Sequence, residues 1–168
     1  MLLKSLNSKS YILNSNSKAF TLIELVITIG ILGILATVSF INIINYKQRQ
    51  DLSSASQEIV TVIRNAQDRS LSQESGSRWG VYFENPSSGT DFYELFQGST
   101  YATGTIVSKS VLSSNVQFDS PVSGSSSTIV FSPVTGLPDA TTTIKISLTS
   151  SPTTSSTITI NTNGKIQY

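Results

Sequence analysis

Neither cysteine nor histidine occurs anywhere in this chain. Without cysteine, an exported domain has no disulfide support, and thiol chemistry and thiolate metal sites are excluded. Without histidine, the commonest general base and the commonest metal ligand are both missing. Charge is also sparse: Asp, Glu, Lys and Arg make up 12% of the 168 residues and sum to a net +1. That balance gives no electrostatic reason to expect nucleic acid as the main partner. There is no G-x-x-x-x-G-K-[ST] phosphate loop, no H-E-x-x-H zinc motif and no G-x-S-x-G nucleophile elbow. The many serines have no histidine to activate them and read as turn formers and exposed strand residues. No catalytic residue, cofactor or metal site is expected, and the chain does not read as an enzyme.

What is present is a long apolar run. Residues 20–44 carry a single charge, Glu24. About 20 helical residues at a rise of 1.5 Å cross a hydrocarbon core of roughly 30 Å, so the run is long enough to span. A secretory signal fits less well, because its apolar core is about 7–15 residues and ends at a small-residue cleavage site. Here the small residue, Ala19, precedes the run. Cutting after it would remove a polar leader and leave the apolar helix at the new N-terminus. Lys4, Lys9 and Lys18, with no acid before Glu24, favour a cytoplasmic leader, although Lys47 and Arg49 on the far flank oppose that bias. The expectation is a single-pass inner-membrane protein with its N-terminus in the cytoplasm and its head outside. A carboxylate at the centre of a membrane helix costs about 2.5–3.5 kcal/mol on insertion scales, so Glu24 reads as a residue in use. The alternative is an ordinary anchor whose Glu24 lies near the interface and reaches into water.

Past residue 44 the chain becomes polar while keeping helical spacing. Leu52, Ala55, Ile59, Val62, Ile63 and Ala66 recur at three- and four-residue steps. No proline or glycine interrupts residues 34–75, which predicts one continuous helix over about 20–71. Glu58, Asp68 and Arg69 read as its solvated face. After Gly76 come short β-rich runs divided by Ser, Thr, Gly and Pro. Strands are expected around 79–84, 92–97, 104–112 and 115–118, then around Ile129 and Phe131, Ile144 to Leu148, and Ile158 and Ile160. Trp79 reads as core. Asn163-Gly164 reads as a hairpin turn, since both residues tolerate positive φ. Residues 120–127 and 149–156 read as low-complexity linkers. Asp91 and Glu94 read as loop-solvating carboxylates rather than calcium ligands, because no EF-hand spacing is present. The fold class is α+β: a long N-terminal helix packed on a C-terminal antiparallel β-sheet domain. The chain divides into residues 1–19 (leader), 20–44 (membrane-spanning), 45–75 (amphipathic extension) and 76–168 (β-rich head).

The block Phe20-Thr21-Leu22-Ile23-Glu24-Leu25-Val26, continued by Gly30-Ile31-Leu32-Gly33-Ile34-Leu35-Ala36, resembles the class III signal of type IV pilins and type II secretion pseudopilins. The resemblance implies that a prepilin peptidase/methyltransferase cuts between Ala19 and Phe20 and N-methylates Phe20, leaving Glu24 as the fifth mature residue. Two positions depart from the pattern. Ala19 stands where the family usually has glycine, and no proline follows Ala36. Losing the three leader lysines takes the side-chain charge from +1 to −2. Glu24 would then lie one turn into the helix, near the positive end of its dipole. In a packed filament it needs a cation, because an unpaired buried carboxylate is strongly unfavourable. The resemblance supplies one: the α-amine of Phe20 on a neighbouring subunit. Gly30 and Gly33 either let helices approach closely or are simply the glycines common in membrane helices.

The head resembles, more loosely, that of GspH/FimT-type minor pseudopilins, on residues 56–70 with Arg64, Ala66 and Gln67, and on 158–166 with Gly164. Some FimT-like relatives bind DNA through basic residues near the C-terminus. Only Lys165 and Lys145 stand there in this chain, so nucleic acid is not an expected partner. The expected partners are the peptidase/methyltransferase, other pilin or pseudopilin subunits, and inner-membrane lipid. The resemblance thus implies a structural subunit, minor rather than major, of a pilus or pseudopilus. A non-polymerising anchor presenting a β-rich domain for adhesion or DNA capture is the alternative.

Overall fold

The computed structural model describes residues 20–168; the side chains of residues 38–42, 44 and 45 are outside that description, as is the expected leader with Ala19. Two compact units make up the chain, Met1–Ile41 and Asn42–Tyr168. Helix α1, Leu22–Leu71, is unbroken, as the absence of proline and glycine after Gly33 predicts.

Within the second unit, α1 buries Leu52, Ala55, Ile59, Val60, Ile63 and Ala66 in one core with the strands. Val60 joins the expected stripe, and Val62 only packs partly against the core. The last turn closes with the Ser72 N–H on the Asp68 carbonyl at 2.9 Å. Left-handed residues at Gln73 and Ser75 then turn the chain through a short 3₁₀ turn, Glu74–Gly76.

Eight strands follow: β1 Trp79–Asn85, β2 Phe92–Gln97, β3 Thr105–Val111, β4 Val116–Ser120, β5 Ser125–Phe131, β6 Thr142–Leu148, β7 Ser151–Ile160 and β8 Ile166–Gln167. They form two antiparallel sheets, ordered β3-β2-β1-β5 and β4-β6-β7-β8. Alternation decides what each strand buries. Val81 and Phe83 of β1, Ile129 and Phe131 of β5, Ile144 and Ile146 of β6, and Ile158 and Ile160 of β7 all lie in the core. A side chain of this size stabilises the fold by about 1.5–3 kcal/mol when fully buried. Trp79 is core as expected, and its indole Nε1 donates to the Glu74 carbonyl at 3.1 Å.

Three sequence expectations are corrected or refined here. Residues 149–156 are not a linker, because β7 begins at Ser151 and pairs with β6 through Ser155–Ser147 and Thr157–Lys145. Residues 125–127 likewise belong to β5, paired with Asn85, Glu84 and Phe83. A ladder is made by backbone groups, and serine and threonine on its solvent side neither oppose it nor advertise it. The turn at Asn163-Gly164 is also wider than a two-residue hairpin. Asn161 N–H reaches the Lys165 carbonyl at 3.0 Å, and Gly164, at φ +78°, sits inside that loop.

Candidate functional site

The start of α1 is built by two residues. Thr21 stands just before the helix, and its Oγ1 accepts the Glu24 backbone N–H at 3.3 Å, while its carbonyl accepts the Leu25 N–H at 3.2 Å. Thr21 is therefore the N-cap, three residues ahead of an acid, which is the spacing of a capping box. The sequence carries this signal in Thr21-x-x-Glu24, set within the apolar run. Glu24 occupies the first helical turn and is exposed, and among the described residues no side chain pairs with it. A negative charge in this first turn is favoured by the positive end of the helix dipole.

Around it the helix is apolar on every side. Phe20 and Leu22 are 79% and 80% exposed, and Ile23, Leu25, Val26, Ile27, Ile29, Ile31, Leu32, Ile34 and Leu35 are all exposed as well. A helix apolar all round needs lipid or a bundle to cover it. Its hydroxyls are internally satisfied, Thr28 donating to the Leu25 carbonyl at 2.9 Å and Thr37 to that of Ile34 at 2.8 Å. Gly30 and Gly33 have open space where a Cβ would stand. Among the described residues, no helix is long and apolar enough to cross a membrane. The far part of the expected span, residues 38–44, lies largely outside the described side chains.

In the head, charged groups are engaged in structure. Arg78 pairs with Asp139 at 2.5 Å and Lys145 with Asp119 at 3.2 Å. Asp91 and Glu94 are buried rather than solvating a loop, which corrects the sequence reading. Asp91 Oδ2 accepts the Phe118 N–H at 2.6 Å, and burial pushes its carboxyl above the ordinary value despite that bond. Glu94 on β2 is held by Lys109 Nζ at 3.0 Å and by the Tyr101 hydroxyl. Tyr101 stacks on Tyr82 with ring centroids 3.6 Å apart and meets Phe96 edge-on. Burial raises its hydroxyl pKa first, and the Glu94 carboxylate adds to the rise. A cavity of about 630 Å³ lies between Asn85, Asp91, Phe118 and Asp119. Its carboxylates are already committed to the Phe118 N–H, Ser147 and Lys145. Among the described residues, no three acidic groups converge to hold a metal ion.

Residues 14–40 match the family model of the prokaryotic N-terminal methylation motif. That motif leads into helix α1, whose later part packs on two antiparallel sheets. The fold of the chain is similar to that of the type IV minor pilin FimU of Pseudomonas aeruginosa strain PAO1, with a TM-score of 0.53 and 18% identity over 73% of this chain and 90% of that one. A second crystal form of FimU gives a TM-score of 0.50, 18% identity, and 69% and 90% coverage. No curated protein matches the sequence.

Proposed function

We propose that this chain is a minor structural subunit of a type IV pilus or type II secretion pseudopilus, stored in the inner membrane through its N-terminal helix. The observation that carries this reading is Glu24, a lone exposed carboxylate in the capped first turn of an all-round apolar helix, inside the matched methylation motif. The leader, residues 1–19, is removed between Ala19 and Phe20 by the prepilin peptidase, and Phe20 is N-methylated. Residues 20–44 cross the membrane with the N-terminus in the cytoplasm, and the β-rich head is extracytoplasmic. On assembly, Glu24 pairs with the Phe20 amine of a neighbouring subunit, and Gly30 and Gly33 lie where helices pass closely. The role is structural, with no catalytic step and no cofactor.

Mass spectrometry of the mature N-terminus and filament isolation from a Glu24→Gln strain test this together. The expected outcome is a methylated Phe20 terminus in both proteins, with incorporation into filaments lost in the variant. An intact leader on the wild-type protein, or normal incorporation of Glu24→Gln, would overturn it.

A further inference from the structure

We propose that a polar pocket between α1 and β7 holds the headgroup of an anionic glycerophospholipid, with its phosphodiester on Arg49. The inference rests on the reading of residues 20–44 as the membrane-spanning part of the chain. The pocket, of about 250 Å³, lies within the second unit. Arg49, Ser53 and Ser56 line it from the helix, at spacings that share one helical face. Thr154 and Ser156 line it from alternate positions on one face of β7, and Tyr168 lines it too.

Two of these groups have no partner. Arg49 is exposed and makes no ion pair or hydrogen bond among the described residues. No Asp or Glu among the described residues lines the pocket. Its guanidinium is thus an uncompensated positive charge, with a planar fork of donors that matches a phosphate. Ser56 is only 3% exposed, and its Oγ has no hydrogen-bond partner. Other hydroxyls of α1 donate to a carbonyl one turn back, as those of Thr28, Thr37 and Thr61 do. A buried hydroxyl left unpaired is unfavourable, and a ligand oxygen in the pocket would satisfy it.

Position and lining select the occupant. Arg49 stands five residues past residue 44 on the unbroken helix, about 7.5 Å along its axis at 1.5 Å per residue. The headgroup layer beyond each face of the hydrocarbon core takes up roughly 5–7 Å. A guanidinium on a long side chain therefore stands level with the lipid phosphates. Ser53 and Ser56 lie about 6 and 10 Å further from the membrane, so the hydroxyls continue the pocket beyond the phosphate. An ammonium headgroup would meet no Asp or Glu there. The hydroxyl-bearing headgroup of phosphatidylglycerol meets matching donors and acceptors.

Native mass spectrometry of the full-length protein, in micelles holding equal phosphatidylglycerol and phosphatidylcholine, counts the lipid retained. We expect wild type to keep phosphatidylglycerol over phosphatidylcholine by about tenfold, and Arg49→Gln to bring that ratio to about one. Lys47→Gln removes the same charge outside the pocket and should leave the ratio within about twofold of wild type. Ser56→Ala deletes a hydroxyl that makes no bond in the protein, so it should keep Tm while lowering the ratio about threefold. Millimolar inorganic phosphate should not displace the lipid. No preference in wild type, equal effects of Arg49→Gln and Lys47→Gln, a ratio unchanged by Ser56→Ala, or displacement by inorganic phosphate would each overturn the proposal. Carbonate extraction from vesicles reads the membrane span separately. A failed span releases wild type and Arg49→Gln alike, whereas a failed pocket shows only in the lipid ratio.

Discussion

Gln67 donates from Nε2 to the carbonyl oxygen of Gly164, 97 positions further along the chain, at 3.1 Å. The same nitrogen donates to the Gly136 carbonyl at 3.0 Å, so one helical amide ties α1 to two loops. Gln67→Leu leaves both carbonyls without that donor in a half-buried place. We expect it to lower stability by about 1–2 kcal/mol, read as a fall in Tm by circular dichroism. Gly164→Ala should act on the same contact. A Cβ there would lie 2.9 Å from Gln67 Nε2, on a backbone at φ +78°.

Asp91 carries a carboxyl whose pKa is raised above 3.8, chiefly by burial. Its folded pKa exceeds its unfolded one, so the stability it contributes is complete below about pH 4 and declines as pH rises through the folded value. Asp91→Asn keeps an oxygen for the Phe118 N–H and removes the buried charge. The variant should be more stable than wild type at pH 7, and the difference should close as pH is lowered toward 4. Urea unfolding at the two pH values checks this.

Tyr101 is raised in the same sense, by burial and by its bond to Glu94. Protonated tyrosine is favoured in the folded state, so stability is full below pH 10 and falls as pH rises above it, where the unfolded chain releases its proton first. Tyr82 and Tyr93 shift in the same direction. Tyr101→Phe should therefore flatten, without abolishing, the loss of stability between about pH 10 and 11.

Thr21→Ala removes the hydroxyl that accepts the Glu24 N–H. Loss of an N-cap costs about 1 kcal/mol of helix stability. The first turn frays and the Glu24 carboxylate loses its fixed position, so filament incorporation should fall to a level between wild type and Glu24→Gln. Thr21→Ser keeps the acceptor and should restore it.

Val134 sits at φ +69°, in the left-handed region, with its N–H on the Ser70 carbonyl at 3.2 Å. A β-branched residue is strained there, by roughly 1–2 kcal/mol. Its side chain is exposed, so no packing is lost on replacement. Val134→Asn should raise Tm, since asparagine tolerates this conformation.

Much of the architecture was legible because apolar spacing is a local record of burial. The three- and four-residue steps from Leu52 to Ala66 gave the packed helix face, and the isoleucine pairs of β6 and β7 gave core strands. Strand starts at Ser125 and Ser151 were not legible, because serine and threonine on a solvent face carry no periodic signal. The burial of Asp91 and Glu94 was hidden too. Their partners, Phe118 at 27 positions away and Lys109 across the β2–β3 register, are brought there by sheet pairing.

By itself, the sequence determined the long helix, its all-round apolar first half, the lone Glu24 within it and the α+β class. Those properties follow from composition and spacing along a single element. Only the tertiary structure decided that the strands divide into two sheets, that Gln67 clasps two distant loops, and that β3 is left as an open edge. These depend on which strands become neighbours, and strand pairing is set by long-range hydrogen bonding and core packing that no local pattern encodes.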